Sequence, residues 1–247
     1  MAGTAVYGDR RRGSRWMMAY WAGAALLLLA TLVAMQFSDE VNWSISDFLF
    51  AGLLLGGTGL AFELILRKSP NSAYRTAFGM ALAAAFLLIW LNGAVGIIGS
   101  EDNDANLMYG GVLAVAAIGS LIARFRPRGM ALAMFAAALA MALVAGVAII
   151  AGLGTPESGL GEILFLTGFF AQFMLISAWL FRKAAQGEPE RGYVSKFLSL
   201  LTMAIGFEML MFMIIVESEP GAIPLLLILL GAGWFFLARA RARAHAH

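Results

Sequence analysis

The 247-residue chain contains no cysteine, and its two histidines, His245 and His247, both lie at the extreme C-terminus. Without cysteine there is no disulfide framework, no thiol nucleophile and no thiolate ligand for a metal. With histidine confined to the tail, neither a histidine-ligated metal site nor a Ser–His catalytic pair can form within the apolar segments. We therefore predict no enzymatic activity, no bound metal and no cofactor.

Charge is also scarce. Only 13% of the residues are charged and 61% are hydrophobic, whereas soluble domains carry about twice that charge. Such a composition is typical of lipid-exposed helices, because a soluble fold has nowhere to bury so much apolar surface. The sequence has no Walker loop and no Gly-rich dinucleotide turn. The formal net charge is only +2, and we predict no nucleic-acid partner.

What the sequence does contain is a series of long apolar segments. Each has close to the roughly 20 residues that a membrane-spanning helix needs. The predicted fold class is an all-α integral membrane bundle of eight transmembrane helices, which cover 17–36, 47–66, 76–99, 107–123, 129–152, 162–181, 194–216 and 221–238.

The charged residues alternate between the connections of these segments. All 17 Lys and Arg residues lie at the N-terminus, in or beside the 2–3, 4–5 and 6–7 connections, or in the tail. The other four connections and the adjoining helix ends hold ten of the 15 acids. The positive-inside rule then places both termini in the cytoplasm. The basic cytoplasmic loops are expected to contact anionic lipid of the bilayer.

The second and sixth segments resemble each other, since each opens on an acid and closes on two bases. Asp47 and Glu162 are separated by 115 residues, as are Arg67 and Arg182, and further charged pairs recur at offsets of 113 to 116. We predict two parallel four-helix repeats related by an axis along the membrane normal. The alternative is that any two apolar hairpins with basic cytoplasmic loops look alike.

The predicted domains follow from this repeat. The two repeats occupy 17–123 and 129–238, joined by a basic cytoplasmic linker at 124–128. A basic cytoplasmic N-terminus, 1–16, precedes them, and a basic cytoplasmic tail, 239–247, follows them.

One acid lies deep in a predicted span. Glu208 stands 14 residues into the seventh segment, about 21 Å from its cytoplasmic end at 1.5 Å per residue. Ionisable residues in hydrocarbon are rare and often functional, and desolvation favours the neutral acid. Asn92 is its counterpart in the third segment, and Thr202 is one further candidate partner. We predict an intramembrane polar site of Glu208, Asn92 and Thr202, which handles a proton or small cation or else forms a structural interhelical hydrogen bond.

Three other acids are weaker candidates. Glu63 stands one turn before the end of the second segment, and Arg67 follows at i+4, which favours an interfacial ion pair. Asp102 and Asp104 belong to the acidic stretch SEDNDAN. They are a fragment of a calcium-loop pattern without its glycine or distal glutamate, so a solvated loop is the favoured interpretation.

Small residues predict close helix packing in two segments. Gly52 and Gly56 form a GxxxG pair in the second segment, with Gly57 and Gly59 nearby. The fifth segment has an alanine-rich surface. Small side chains let helix backbones approach closely, so Gly56→Leu is expected to destabilise the bundle.

Two stretches carry a resemblance: the WxxxDF motif that ends at Phe48, and the run IWLNGAVGIIGSEDNDANLMYG. They resemble uncharacterised bacterial polytopic inner-membrane proteins, and the resemblance covers roughly the first half of the chain. It implies a bacterial inner membrane and no particular activity.

Two functions remain open from the sequence. The first is a small secondary transporter or ion-conducting protein with Glu208 and Asn92 near its centre. The second is a non-catalytic membrane component, such as an assembly factor, a sensor or an accessory subunit, whose protein partner the sequence does not identify. A polar cavity that reaches Glu208 would favour the first.

Overall fold

The computed structural model describes residues 3–37, 41–155, 158–187, 202, 205–206, 210 and 222–244. Over this part of the chain the fold is all-helical, with seven α-helices and no strand. The helices are α1 (Gly3–Ala34), α2 (Ile45–Lys68), α3 (Ser72–Ala94), α4 (Leu107–Ile122), α5 (Pro127–Ala151), α6 (Leu160–Gln186) and α7 (Ala222–Ala244).

Helices α1 to α6 are long and apolar enough to cross a membrane, whereas α7 has a shorter apolar stretch, Ala222–Leu237. Six such helices indicate a multi-pass membrane protein. The predicted seventh segment, 194–216, falls almost entirely outside the described residues, so the eight-helix count and the four-helix repeats stay predictions.

Local chemistry sets the helix ends. At the start of α2, the Ser44 N–H donates to the Asp47 carboxylate at 2.7 Å, and the Asp47 N–H donates to Ser44 Oγ at 3.3 Å. This reciprocal pair is a capping box, so Asp47 has a structural role as a cap. Its predicted counterpart, Glu162, lies in the first turn of α6, where the N-cap is Gly159 and no side chain caps the helix.

The predicted third helix extends five residues too far at its C-terminal end. It ends at Ala94 rather than at Gly99, because the chain turns sharply at two glycines. Gly96 and Gly99 have φ angles of 81° and 69°, a left-handed conformation that glycine adopts without steric cost. The residues between them leave the helix and fold into a loop.

The described chain forms two compact units, Met1–Pro70 and Asn71–His247, here called unit 1 and unit 2. In unit 1, α1 packs on α2, and the hydroxyl of Tyr20 donates to the carbonyl oxygen of Leu55 at 2.7 Å. A Cβ at Gly59 would collide with the Tyr20 ring and would lie 3.1 Å from the Trp21 ring. Side chains of α1 therefore pack directly on Gly59, which leaves no space for a larger residue there.

The observed packing surface of α2 differs from the predicted one. A Cβ added at Gly52, Gly56 or Gly57 meets nothing within 4 Å among the described residues. The expectation that Gly56 supports a close helix contact is therefore not met in this part of the chain. The glycine that the packing requires is Gly59, one turn further along.

In unit 2, α6 packs on both α3 and α5, and α5 also packs on α4. Four of the five alanines on the predicted alanine-rich surface of α5 lie in the core: Ala133, Ala137, Ala145 and Ala148 are buried, and Ala140 is half-buried. A Cβ on Gly119 of α4 would lie 2.8 Å from Ala133 Cβ.

The opposite face of α5 is exposed and fully apolar, with Leu132, Phe135, Leu139, Leu143 and Val147. The predicted alanine-rich packing surface is thus confirmed, and the apolar stripe faces outward, as lipid contact requires.

Candidate functional site

The loop between α3 and α4 is buried rather than solvated. Ile97 and Ile98 are 0% exposed, although they lie between two helices and outside regular structure. A buried loop needs partners for its backbone polar groups. Most of the partners described here come from one side chain, that of Asn106.

Asn106 is 4% exposed. It is the last residue of a 3₁₀ turn, Asp104–Asn106, just before α4. Its Oδ1 accepts the N–H groups of Ile97 at 3.0 Å and of Ile98 at 2.9 Å. Its Nδ2 donates to the carbonyl oxygens of Ile98 at 3.3 Å and of Ser100 at 2.7 Å. One amide therefore satisfies four backbone groups and fixes the shape of the loop.

This loop is joined to the connection between α5 and α6. The Gly99 N–H donates to the hydroxyl of Ser158 at 3.0 Å, and Ser158 is buried. Asn103 Nδ2 donates to the carbonyl oxygen of Leu153 at 2.9 Å. The two connections at this end of unit 2 therefore hold each other.

Asn92 lies in the last turn of α3, beside this loop. Its Nδ2 donates to the carbonyl oxygen of Asn106 at 3.0 Å. Its Oδ1 is buried and has no hydrogen-bond partner among the described residues. A buried amide oxygen without a donor is unfavourable by about 1–3 kcal/mol. The atom is therefore an acceptor suited to a protonated group, a water molecule or a small cation.

The position of Asn92 differs from the one predicted. It stands 20 residues into α3, in the final turn, so it lies towards one end of the helix rather than near its centre. Glu208, its predicted counterpart, lies outside the described residues. Thr202 is a partly buried helical residue with an interaction of its own. The grouping of these three side chains stays a prediction.

The weaker candidates occupy other places. Glu63 forms an ion pair with Arg67 one turn further along α2, which is the interaction predicted from their spacing. Asp102 and Asp104 are exposed on the α3–α4 connection. In the described ranges, no three His, Cys, Asp or Glu side chains come together as a group that could hold a metal.

Charge is segregated between the two ends of unit 2 and, apart from Glu63, between the two ends of α2 in unit 1. In unit 2 the described acids lie at the end where α3 finishes: Glu101, Asp102, Asp104 and Glu162. The bases in and beside α3 to α6 lie at the opposite end: Arg75, Arg124, Arg126, Arg128, Arg182 and Lys183. In unit 1, Asp47 lies at the start of α2, and Arg67 and Lys68 lie at its end. Both patterns follow the alternation that the sequence predicts.

Sequence reasoning missed Asn106, the most connected polar side chain of this region. The available signal was the polar stretch that ends at Asn106, because it follows two closely spaced glycines, Gly96 and Gly99. From the sequence alone, the acidic residues of this stretch predict a solvated loop instead. A loop that turns back on itself needs one amide to satisfy both donors and acceptors, and Asn106 is placed to do so.

Comparison of the chain with protein-family models, with curated proteins and with solved structures finds no match to any of them. This is consistent with a resemblance that carries no transferable function.

Proposed function

We propose that the chain is a small, non-enzymatic protein of the bacterial inner membrane that transports or conducts a proton or small cation. The observation that supports this proposal is the buried Oδ1 of Asn92, which has no hydrogen-bond partner among the described residues. Proteins seldom bury an unpaired acceptor without a use for it. An acceptor in a membrane-spanning helix is a place where a protonated group or a cation can bind for part of a cycle.

Glu208 is the carboxyl group that this proposal pairs with Asn92. Glu208 follows Asn92 by 116 residues, which matches the offset of the predicted repeat. When Glu208 is protonated, its O–H can donate to Asn92 Oδ1. When it releases the proton, a water molecule or a small cation takes the position next to the amide oxygen. Alternation between these two states is the basis of the proposed flux.

The orientation of unit 2 in the membrane determines which surface Asn92 lies near. The segregated charges of unit 2 support a basic cytoplasmic end and an acidic outer end under the positive-inside rule. Asn92 and the Asn106-bound loop then lie towards the outer surface. Exposed acids of the same loop, including Asp102 and Asp104, increase the local cation concentration near that end.

The experiment is a proton-flux assay on the purified chain in liposomes with an imposed pH gradient. Glu208→Gln removes the titratable proton with little change of shape, and flux is expected to fall to the level of empty liposomes. The matched control is Glu63→Gln, because it makes the same chemical change at the exposed ion pair with Arg67, and flux is expected to persist.

Two outcomes of the flux assay would contradict the proposed role of Glu208. If wild-type protein produces no flux, or if Glu208→Gln retains full flux, Glu208 is not a proton carrier. Absence of wild-type flux would assign the chain to the non-catalytic class of assembly, sensor or accessory components. Full flux in Glu208→Gln would instead mean that protons cross by a route that does not use Glu208.

A further inference from the structure

The connection between α4 and α5 has an unusual backbone. Arg124 and Phe125 have φ angles of 50° and 56°, both in the left-handed region that residues with side chains disfavour. Backbone hydrogen bonds fix the turn: the Arg124 N–H donates to the Leu121 carbonyl at 2.9 Å, and the Phe125 N–H donates to the Ser120 carbonyl at 3.1 Å. Two adjacent residues of this kind persist only where the surroundings hold them.

Neighbouring helices supply that support. The hydroxyl of Tyr74, in the first turn of α3, donates to the carbonyl oxygen of Phe125 at 2.8 Å. The Tyr74 ring packs edge-on against Phe181 of α6, with ring centroids 5.0 Å apart. The Phe78 ring lies 6.4 Å from the Phe125 ring. Helix α3 therefore contacts the turn directly through Tyr74 and Phe78, and α6 packs against the Tyr74 ring that makes the hydrogen bond.

The turn presents charge and apolar surface together. Arg124, Arg126 and Arg128 are exposed, and Phe125 between them is 44% exposed. Helix α4 ends at Ile122 and α5 begins at Pro127, so the turn lies where two spanning helices leave the hydrocarbon. The described acids of unit 2 lie at its other end: Glu101, Asp102, Asp104 and Glu162.

We propose that the turn formed by residues 123–128 binds the phosphate of an anionic phospholipid headgroup. Guanidinium groups bind phosphate oxygens in a bidentate manner, and the rigid turn keeps three of them at the level of the headgroups. Phe125 lies at the boundary with the acyl chains, where aromatic rings are favoured. The proposal is independent of any transport activity, because it concerns the basic end of unit 2.

The test measures lipid binding to the 247-residue chain in detergent by native mass spectrometry. The probes are phosphatidylglycerol, phosphatidylcholine and inorganic phosphate. One variant changes Arg124, Arg126 and Arg128 to Gln. Its matched control changes Arg239, Arg241 and Arg243 to Gln, because these three tail arginines have the same alternate spacing and the same total charge. A further variant, Tyr74→Phe, keeps every charge but removes the hydrogen bond to Phe125.

We expect wild type to prefer phosphatidylglycerol to phosphatidylcholine. The turn variant should lose affinity by about 100-fold, since each base near an anionic surface contributes a factor of about five. The tail control should keep its affinity, and Tyr74→Phe should weaken it without any change of charge. Circular dichroism confirms that each variant is folded.

Three results would overturn the proposal. Equal losses in the turn and tail variants would mean that charge alone attracts the lipid. Unchanged binding in Tyr74→Phe would mean that the conformation of the turn is not required. Inorganic phosphate that displaces the lipid at equal concentration would identify a site for free anions instead.

Discussion

The hydroxyl of Ser177 donates to the carbonyl oxygen of Ala77 at 2.8 Å and so joins α6 to α3 in the core of unit 2. Both residues are 0% exposed. A hydroxyl at such a contact is small enough to let the two backbones approach, and it satisfies its own polar group by bonding to the neighbouring helix. The contact is therefore sensitive to side-chain volume.

We expect Ser177→Leu to lower the free energy of unfolding by about 1–3 kcal/mol, because the added carbons have no space between the two helices. Ser177→Ala keeps the volume and removes only the hydrogen bond, so its cost is about 0.6 kcal/mol. Denaturation in mixed micelles measures both. Leu175→Ala is the control, since Leu175 is 45% exposed on the same helix; a larger loss there than in Ser177→Leu would contradict the assigned faces of α6.

A second prediction concerns Gly59 in unit 1. A Cβ at this position meets the rings of Tyr20 and Trp21, whereas a Cβ at Gly56 meets no described residue. We expect Gly59→Leu to separate α1 from α2 and to lower stability by about 1–3 kcal/mol, with a smaller effect of Gly56→Leu. Thermal melting in detergent compares the two variants. Equal losses would show that Gly56 also lies in a close contact.

The glycines of α2 illustrate what periodicity alone can predict. The sequence predicts an apolar helix with a slender side, because four glycines recur within eight residues. It does not predict which glycine faces a neighbour, because that depends on which large side chains α1 presents. Tyr20 and Trp21 select Gly59, and their rotamers are set by tertiary packing rather than by local sequence.

The loop end of unit 2 likewise has features that the sequence predicts and features that depend on tertiary contacts. The length of the apolar segments and the charge of the loops predict the helices of this unit and which of their ends face the cytoplasm. These two signals can be read for each helix separately, because bilayer thickness sets helix length and loop charge sets orientation. The buried loop around Ile97 and Ile98 depends instead on hydrogen bonds between residues eight or nine positions apart. Its apolar residues therefore extended the predicted third helix beyond Ala94.

Asn106 provides a third prediction. Its amide satisfies four backbone groups of the buried loop, and each unsatisfied buried group costs about 1–3 kcal/mol. We expect Asn106→Ala to lower the free energy of unfolding by about 3 kcal/mol or more. Asn106→Asp should also destabilise the protein, because a carboxylate accepts from Ile97 and Ile98 but repels the carbonyl oxygens of Ile98 and Ser100.

Denaturation in mixed micelles, with hydrogen exchange of the Ile97 and Ile98 amides as a local readout, measures the effect of Asn106. Asn103→Ala is the comparison, because the Asn103 side chain makes two hydrogen bonds at the same end of the unit rather than four. Its Nδ2 donates to the carbonyl oxygen of Leu153 at 2.9 Å, and its Oδ1 accepts the Ala105 N–H at 3.0 Å. Slow exchange of both isoleucine amides in Asn106→Ala would show that other groups hold the loop.

A fourth prediction tests the orientation of unit 2. The chain has no native cysteine, so single cysteines can be introduced without background labelling. Asp102 and Arg126 are both exposed and lie at opposite ends of the unit. In intact cells, an impermeant maleimide should label Asp102→Cys and should leave Arg126→Cys unlabelled, while a permeant reagent labels both. Impermeant labelling of position 126 would reverse the assigned orientation.

The last prediction concerns Asn92, where a structural role and a transport role give different results. Asn92→Leu removes the 3.0 Å bond to the Asn106 carbonyl, which is worth about 0.6 kcal/mol in a membrane helix. It also removes the buried Oδ1 that has no described partner, and this offsets the loss. Stability should therefore stay within about 1 kcal/mol of wild type, whereas proton flux in liposomes should disappear because the acceptor for a protonated group is gone. Asn103→Leu makes the same change on the neighbouring loop and should retain flux. Wild-type flux in Asn92→Leu, or a collapse of its stability, would assign Asn92 to structure alone.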